Sequence, residues 1–197
     1  MIARFAAKIS LGGLALLLGT APALGALSAT ATISSAPNGA NTDYTIQLTN
    51  PAASGVSIGT FWFAWTPPGD PTEYDFLPSA PTPTGQPSGW IGLASAGFPG
   101  YSIEYSNSTG SLIAPGQTGT FQFTSPDSPA TLKGLAFGIF PITESFVYAT
   151  APATQGGIPA GSFAQVNPVF TPEPSSLALL GTVCLGTLLR RRSPVGR

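Results

Sequence analysis

The sequence predicts an all-β protein, an antiparallel β-sandwich, and three observations support that fold class. Short stretches of alternating apolar and polar side chains recur along residues 27–170 of the 197-residue chain. Turn-forming residues separate these stretches, and most of the 24 glycines and 21 prolines of the chain fall in this region. Helix-like periodicity is hard to find there. We therefore expect one β domain between two terminal segments of different character.

Eight segments carry the strand pattern. In YTIQLT, Tyr44, Ile46 and Leu48 alternate with polar residues, and Phe121 and Phe123 alternate in the same way in TFQFTS. These side chains are expected to face the core. The segment VSIGTFWFAW is apolar on both faces, so Trp62 and Trp65 are also expected in the core. The eight segments are residues 29–34, 44–49, 56–65, 101–106, 120–125, 133–142, 145–150 and 161–166.

Residues 66–92 are predicted to form a long proline-rich surface loop. Seven prolines lie in this range, and proline cannot donate a hydrogen bond to a sheet ladder. Long loops on a rigid sandwich commonly carry binding residues. In this loop, Trp90 and Tyr74 are candidates for stacking on sugar rings, and core packing is the alternative interpretation for Trp90.

Three carboxylates in the same loop, Asp70, Glu73 and Asp75, are candidates for binding calcium. Their spacing does not match the D-x-D-x-D-G pattern, so a solvated loop is the alternative interpretation.

The stretch IAPGQTGTFQFTS, residues 113–125, resembles hairpins of immunoglobulin-like domains in bacterial surface proteins. In those domains a Pro-Gly turn precedes a strand whose aromatic side chains face the core. The resemblance implies an immunoglobulin-like sandwich rather than a barrel.

Composition excludes several classes of function for this domain. Residues 27–170 contain one cation, Lys133, and seven carboxylates, which give a net charge of −6, so nucleic-acid binding is not expected. The chain has no histidine, and its one cysteine, Cys184, lies in the C-terminal apolar run. Disulfides, histidine or cysteine zinc sites and imidazole-dependent nucleophiles are therefore excluded. Nothing in the sequence brings Glu104 and Glu144 together as a hydrolase pair. We expect neither an enzyme nor a bound cofactor.

The N-terminal residues 1–26 have the organisation of a secretory signal peptide. Arg4 and Lys8 precede an apolar stretch at residues 9–18, and Ala21-Pro22-Ala23 fits a small-residue cleavage site. The stretch is too short to span a bilayer. Export with cleavage is the prediction, and an uncleaved anchor is the alternative.

The C-terminal residues 171–197 combine a Pro-Glu-Pro triplet, an uncharged run and a basic stop. A helix over residues 175–189 would be roughly 22 Å long, against a bilayer core of about 30 Å. Arginines after such a helix remain cytoplasmic, which places the triplet outside the inner membrane. The residues of the triplet and the stop are Pro172, Glu173, Pro174, Arg190, Arg191 and Arg192.

This triplet, the SSLALLG opening of the run and the arginine stop resemble the PEP-CTERM sorting signal. The resemblance implies a bacterial source, an exosortase-type membrane protease as partner, and removal of the tail near the triplet. It further implies association with extracellular polysaccharide or the cell surface, after an inner-membrane intermediate held by the C-terminal helix. A permanent anchor is the alternative.

Two function classes remain for the domain. The first is a structural or adhesive protein of an exopolysaccharide matrix, and the second is a carbohydrate- or calcium-binding module.

Overall fold

The computed structural model of the chain describes residues 26–67, 74–151, 157 and 162–171. Apart from Ala26 and Thr171, the predicted signal segment 1–26 and sorting segment 171–197 lie outside these ranges, as do both predicted flanking helices. Within the described ranges, no helix is long and apolar enough to cross a bilayer.

The described residues form short strands and one turn of helix. In chain order these elements are β1 (Thr30–Asn38), β2 (Asn41–Thr49), β3 (Thr60–Phe63), β4 (Trp65–Thr66), β5 (Tyr74–Asp75), β6 (Thr82–Gly85), β7 (Trp90–Ala96), β8 (Tyr101–Asn107), β9 (Thr118–Ser125), α1 (Pro129–Leu132), β10 (Leu135–Ala136), β11 (Phe140–Pro141), β12 (Ser145–Tyr148), β13 (Phe163–Val166) and β14 (Val169–Phe170).

Two five-stranded sheets form the body of the domain. The first sheet has the order β14-β1-β2-β9-β6, and the second has the order β13-β12-β3-β8-β7. Neighbouring strands in both sheets are antiparallel except β14, which runs parallel to β1. Rings from the two sheets meet between them, with Phe61 5.4 Å from Phe121 and Phe63 5.2 Å from Phe123. The predicted antiparallel sandwich is therefore confirmed.

The alternating patterns place their apolar residues in the core as predicted. Tyr44, Ile46, Leu48, Phe121 and Phe123 are all fully buried. They lie on the inner faces of β2 and β9, because successive side chains of a strand point to opposite faces. The polar residues between them are exposed or half-buried.

In the described part of residues 66–92, the predicted loop is interrupted by strands. Strand β6 lies inside it and pairs with β9, and β5 pairs with β4. Pro83 is tolerated because β6 is the edge of the first sheet, where one side of the strand needs no partner. The last three residues of the range, 90–92, belong to β7.

Two further strand predictions need correction. Residues 133–142 were expected to form one strand, but they form the two-residue strands β10 and β11 of a small hairpin. Strand β7 was not predicted. Its face toward the core carries Trp90 and Gly92, and a Cβ atom at Gly92 would lie 2.9 Å from the Tyr105 ring. A glycine in this position lets β7 approach Tyr105.

Two tyrosine hydroxyls hydrogen-bond to backbone oxygens at the edge of the core. Tyr44 donates to the carbonyl of Asp127 at 2.6 Å, and Tyr105 donates from the second sheet to the carbonyl of Gln122 at 2.9 Å. Burial, with a smaller contribution from the Asp127 charge, raises the pKa of Tyr44 to about 12 from 10.0. Burial also raises the pKa of Tyr105. Both tyrosines therefore favour the neutral form in the folded protein.

We expect the free energy of unfolding to fall as pH rises between about 10 and about 12, the unfolded and folded pKa of Tyr44. Below this window both states keep the proton, whereas inside it only the folded state does, so alkali favours unfolding. Urea titrations across this range measure the effect. Tyr44→Phe should lose about 1 kcal/mol at neutral pH but should show a shallower alkaline fall. Equal slopes for the two proteins would contradict the assignment to Tyr44.

Candidate functional site

The outward face of the second sheet carries a buried group of aromatic side chains. We call Trp62, Trp65, Phe146 and Tyr148 the outer aromatic cluster. Trp62 and Phe146 are cross-strand partners on β3 and β12. The rings of Trp62 and Trp65 stack at 4.5 Å, and Trp65 meets Phe146 edge-on at 6.3 Å. Both tryptophans are buried, as the sequence predicted, but they lie on the other face of this sheet from the inter-sheet core.

Ala64 explains how Trp65 reaches this face. Strict alternation from Trp62 would turn Trp65 toward the other face. Ala64 instead has φ 58, a left-handed conformation that is uncommon outside glycine, and its side chain lies in the inter-sheet core. The backbone N–H of Ala64 donates to Ser145 Oγ at 3.2 Å, and that of Trp65 donates to the Glu144 carbonyl at 2.8 Å. These bonds hold the reversal in place.

A cleft of about 310 Å3 opens beside the outer aromatic cluster. We call it the aromatic cleft. Phe163 is 54% exposed, whereas Phe146 is only 8% exposed, and their ring centroids are 6.0 Å apart. Phe163 therefore presents a ring to solvent and Phe146 is almost covered. The lining residues are Thr66, Pro67, Phe140, Glu144, Phe146, Phe163 and Gln165.

The amide and the carboxylate of the aromatic cleft come from β13 and from the residue before β12. Phe163 and Gln165 share one face of β13, and Gln165 pairs across the ladder with Phe146. Glu144 precedes β12 and is 8% exposed. Gln165 Nε2 donates to Glu144 Oε1 at 2.9 Å, so the amide orients the carboxylate.

Such a lining suits a ligand with both apolar and hydroxyl surfaces. Ligand sites are typically apolar clefts of about 300–1,000 Å3 with a few polar groups that fix orientation. The phenylalanine rings offer flat apolar contact, and a carboxylate accepts strong hydrogen bonds from hydroxyl groups. Of these residues the sequence singled out only Glu144. The alternation in SFAQV places Phe163 and Gln165 on one face, but their approach to Glu144 depends on the pairing of β12 with β13.

A second cleft, of about 270 Å3, lies on the first sheet. Its carboxylate, Asp43, accepts hydrogen bonds from Thr124 Oγ1 at 2.6 Å and Asn38 Nδ2 at 3.0 Å. These bonds lower the pKa of Asp43 below its ordinary value. The one aromatic residue of its lining, Tyr44, is fully buried. This cleft therefore offers polar contacts without an exposed ring.

The structure does not support Trp90 as a glycan contact. Trp90 is 4% exposed, its ring meets Phe121 edge-on at 5.2 Å, and its indole N–H donates to the Ser111 carbonyl at 2.8 Å. It begins β7 with its side chain toward the core rather than lying in a loop. Burial of this kind removes the ring from any ligand in solution.

The other predicted site residues are placed as follows. Tyr74 is half-buried, with the rings of Phe137 and Phe98 at 5.3 and 6.3 Å. Asp75 is 4% exposed, while Asp70 and Glu73 lie outside the described residues. Among the residues that the structure describes, no group of three or more potential metal ligands occurs. The sorting residues Pro172, Glu173, Pro174, Arg190, Arg191 and Arg192 also lie outside the described ranges.

Replacing Trp90 should destabilise the domain. Trp90→Ala removes a buried aromatic ring and should lower the free energy of unfolding by about 3–5 kcal/mol. Trp90→Phe keeps an apolar ring but leaves the Ser111 carbonyl without its donor, so it should lose less. Urea unfolding of both variants measures the difference. A Trp90→Ala protein as stable as the native chain would contradict a core position.

Comparisons with known proteins give only distant likenesses. No protein-family model matches the chain, and no curated protein matches it. One similar solved structure is described as the unique CBM3- of Hungateiclostridium clariflavum, with 12% identity, a TM-score of 0.37, and coverage of 68% of this chain and 99% of that one. Another is a type II cohesin domain from the cellulosome of Acetivibrio cellulolyticus, with 15% identity, a TM-score of 0.25, and coverage of 70% and 95%.

Proposed function

We propose that this chain is an exported β-sandwich protein that binds polysaccharide through the aromatic cleft. The observation that carries the proposal is the exposed ring of Phe163 beside the hydrogen-bonded pair Glu144 and Gln165. A sugar ring has an apolar face that can lie on an aromatic ring and hydroxyl groups that can donate to a carboxylate. The cleft supplies both partners within one cavity of about 310 Å3.

The charge of the domain agrees with a neutral or weakly charged polymer as ligand. One lysine and seven carboxylates in residues 27–170 leave a net charge of −6, which would repel a strongly acidic polysaccharide. Calcium binding at Asp70, Glu73 and Asp75 is a separate hypothesis, and the burial of Asp75 does not favour it.

The terminal segments supply the location in this proposal. The signal peptide directs export, and the C-terminal run holds the chain in the inner membrane until a protease cuts near Pro172-Glu173-Pro174. The mature protein then belongs to the cell surface or the extracellular matrix, where an adhesive role follows from polysaccharide binding. The support for these steps is the order of triplet, apolar run and arginine stop in the sequence.

Substituting the exposed ring of the cleft should weaken polysaccharide binding without unfolding the protein. Phe163→Ala removes a stacking surface worth about 0.5–1.5 kcal/mol, which corresponds to a Kd larger by about two- to twelvefold. Affinity electrophoresis in gels containing hydroxyethylcellulose, xylan or dextran measures it. Gln165→Ala should also weaken binding, because Glu144 loses the donor that orients it.

Phe98→Ala is the matched control for this experiment. Phe98 is 69% exposed and lies outside the aromatic cleft, so its loss should leave retardation in the gel unchanged. Equal behaviour of Phe163→Ala and Phe98→Ala would contradict binding in the cleft. Failure of the native protein to be retarded by any of the polymers, followed by a negative glycan array, would reject the binding function.

Substitution of the triplet should block processing without blocking export. Glu173→Ala leaves the apolar run intact, so the uncut protein should accumulate in the inner membrane, whereas Thr171→Ala should be cut like the native chain. Deleting Arg190, Arg191 and Arg192 should instead release uncut protein, since the charges that stop translocation are lost.

Mass spectrometry of surface material tests whether the native chain is cut. Intact peptides from Leu177 to Arg190 in that material would indicate a permanent anchor.

A further inference from the structure

Four exposed apolar side chains lie on or beside the β10–β11 hairpin, and we call them the apical patch. It consists of Phe98, Leu135, Phe137 and Ile139, which are 69%, 56%, 51% and 69% exposed. Three of them lie on or next to the β10–β11 hairpin, and the fourth, Phe98, stacks on Phe137 with ring centroids 6.2 Å apart. Single exposed apolar residues are ordinary, but a group of this kind indicates an interaction surface.

The tip of the hairpin is a tight turn. Phe137 has φ 51 and Gly138 has φ 71, and the N–H of Ile139 donates to the Ala136 carbonyl at 3.1 Å. Positive φ at both central residues fits a type I′ hairpin turn, in which a phenylalanine at the first position is uncommon. The base of the hairpin is anchored, because Phe140 stacks on the buried Phe76 at 5.8 Å. The exposed tip therefore extends from a well-packed base.

The apical patch lies near the place where the chain leaves the domain. Strand β14 runs parallel to β1, so its chain direction is toward the end of the sandwich where β1 finishes at Asn38. The N–H of Thr171 donates to the Ile33 carbonyl at 2.9 Å. The ammonium nitrogen Nζ of Lys133, two residues before β10, lies 4.9 Å from the ring centroid of Phe170. The segment that leads into the hairpin therefore reaches the last described strand.

The distance from this exit to the apolar run is short. Only Pro172, Glu173 and Pro174 separate Thr171 from Ser175, where the run begins. Four extended residues span at most about 14 Å. When the run occupies a bilayer, the exit and the adjacent hairpin must lie close to the lipid headgroups.

We propose that the apical patch rests on the phospholipid surface while the C-terminal run is inserted. This inference depends on the membrane intermediate in the proposed function. The four side chains carry no polar group for sugar hydroxyls, and the net charge of −6 on residues 27–170 gives no attraction to anionic lipid. Contact is therefore apolar, and the tether supplies the high local concentration that a small patch needs. A second attachment point would limit tumbling and keep the triplet at a fixed depth for the protease.

The test uses the full chain in vesicles of phosphatidylethanolamine and phosphatidylglycerol, with or without brominated acyl chains. The three native tryptophans are buried, at 0–4% exposure, so an added tryptophan reports its own contact with lipid. Ile139→Trp should lose most of its added fluorescence in brominated vesicles. Leu112→Trp is the matched control. Leu112 is 42% exposed and lies beyond the C-terminal end of β8, whereas Phe98 lies before the N-terminal end of that strand. Its fluorescence should persist.

A second variant separates lipid contact from folding. Asparagine tolerates positive φ, so Phe137→Asn should keep the turn while removing the ring. Added to Ile139→Trp together with Phe98→Ser, it should reduce the quenching several-fold, with an unchanged circular dichroism spectrum. Quenching that survives both substitutions would overturn the proposal.

The remaining outcomes separate failure of lipid contact by the apical patch from failure of membrane insertion by the C-terminal run. A chain that resists carbonate extraction but shows no quenching of Ile139→Trp overturns the patch proposal and leaves membrane insertion intact. If carbonate extracts the chain from the vesicles, the C-terminal run is not inserted, and the patch proposal is overturned together with the membrane intermediate. Cross-linking between copies through residue 139 without quenching would identify a second copy of the chain as the occupant and would overturn lipid contact.

Discussion

The packing of aromatic rings around Phe121 joins the two sheets, and the other surfaces depend on it. Phe121 lies 4.7 Å from Tyr105, 5.2 Å from Trp90 and 5.4 Å from Phe61, three rings supplied by three strands of the opposite sheet. Residues 27–170 have no cysteine and only one lysine. Neither a disulfide nor a network of ion pairs can therefore join these sheets, and apolar burial has to supply the cohesion.

This core determines what the outward faces present. Because Phe61 and Phe63 point inward on β3, Trp62 must point outward, and the same constraint on β12 turns Phe146 outward beside it. Ala64 then adds Trp65 to that face through its left-handed backbone. The outer aromatic cluster gives Phe146 a packed support, so that Phe163 is the most exposed of the rings that line the aromatic cleft. A ligand would thus meet this ring beside a packed one.

The sequence predicted the features that depend on local pattern. Tyr44, Ile46 and Leu48 were assigned to the core correctly because alternation alone decides which face a strand buries. Strand β6 was missed because its proline indicates a loop unless the strand is known to be an edge. Strand β7 was missed because its inward residues include Gly92, and the ring that fills the space beside this glycine, Tyr105, comes from a different strand.

The aromatic cleft could not be predicted from the sequence, for a related reason. Glu144 is 21 residues from Gln165, and their contact follows from the register that pairs Ser145 with Val166. A pairing register is set by the whole sheet, and one position of slippage would turn Gln165 to the other face. Trp90 shows the opposite error, since its glycine- and proline-rich flanks indicated exposure, whereas the pairing of β7 with β8 turns it inward.

Phe140 connects the two proposed surfaces. It lines the aromatic cleft, and its ring also packs on Tyr74 and Phe76 beneath the apical patch. The cleft and the patch therefore lie at the same end of the sandwich, although only the cleft has polar groups. In the proposed scheme the tether holds the patch on lipid, and cutting the tail lowers its local concentration at the membrane. Because the patch is small and the domain is acidic, lipid contact would then be lost, which frees this end of the domain to engage polysaccharide.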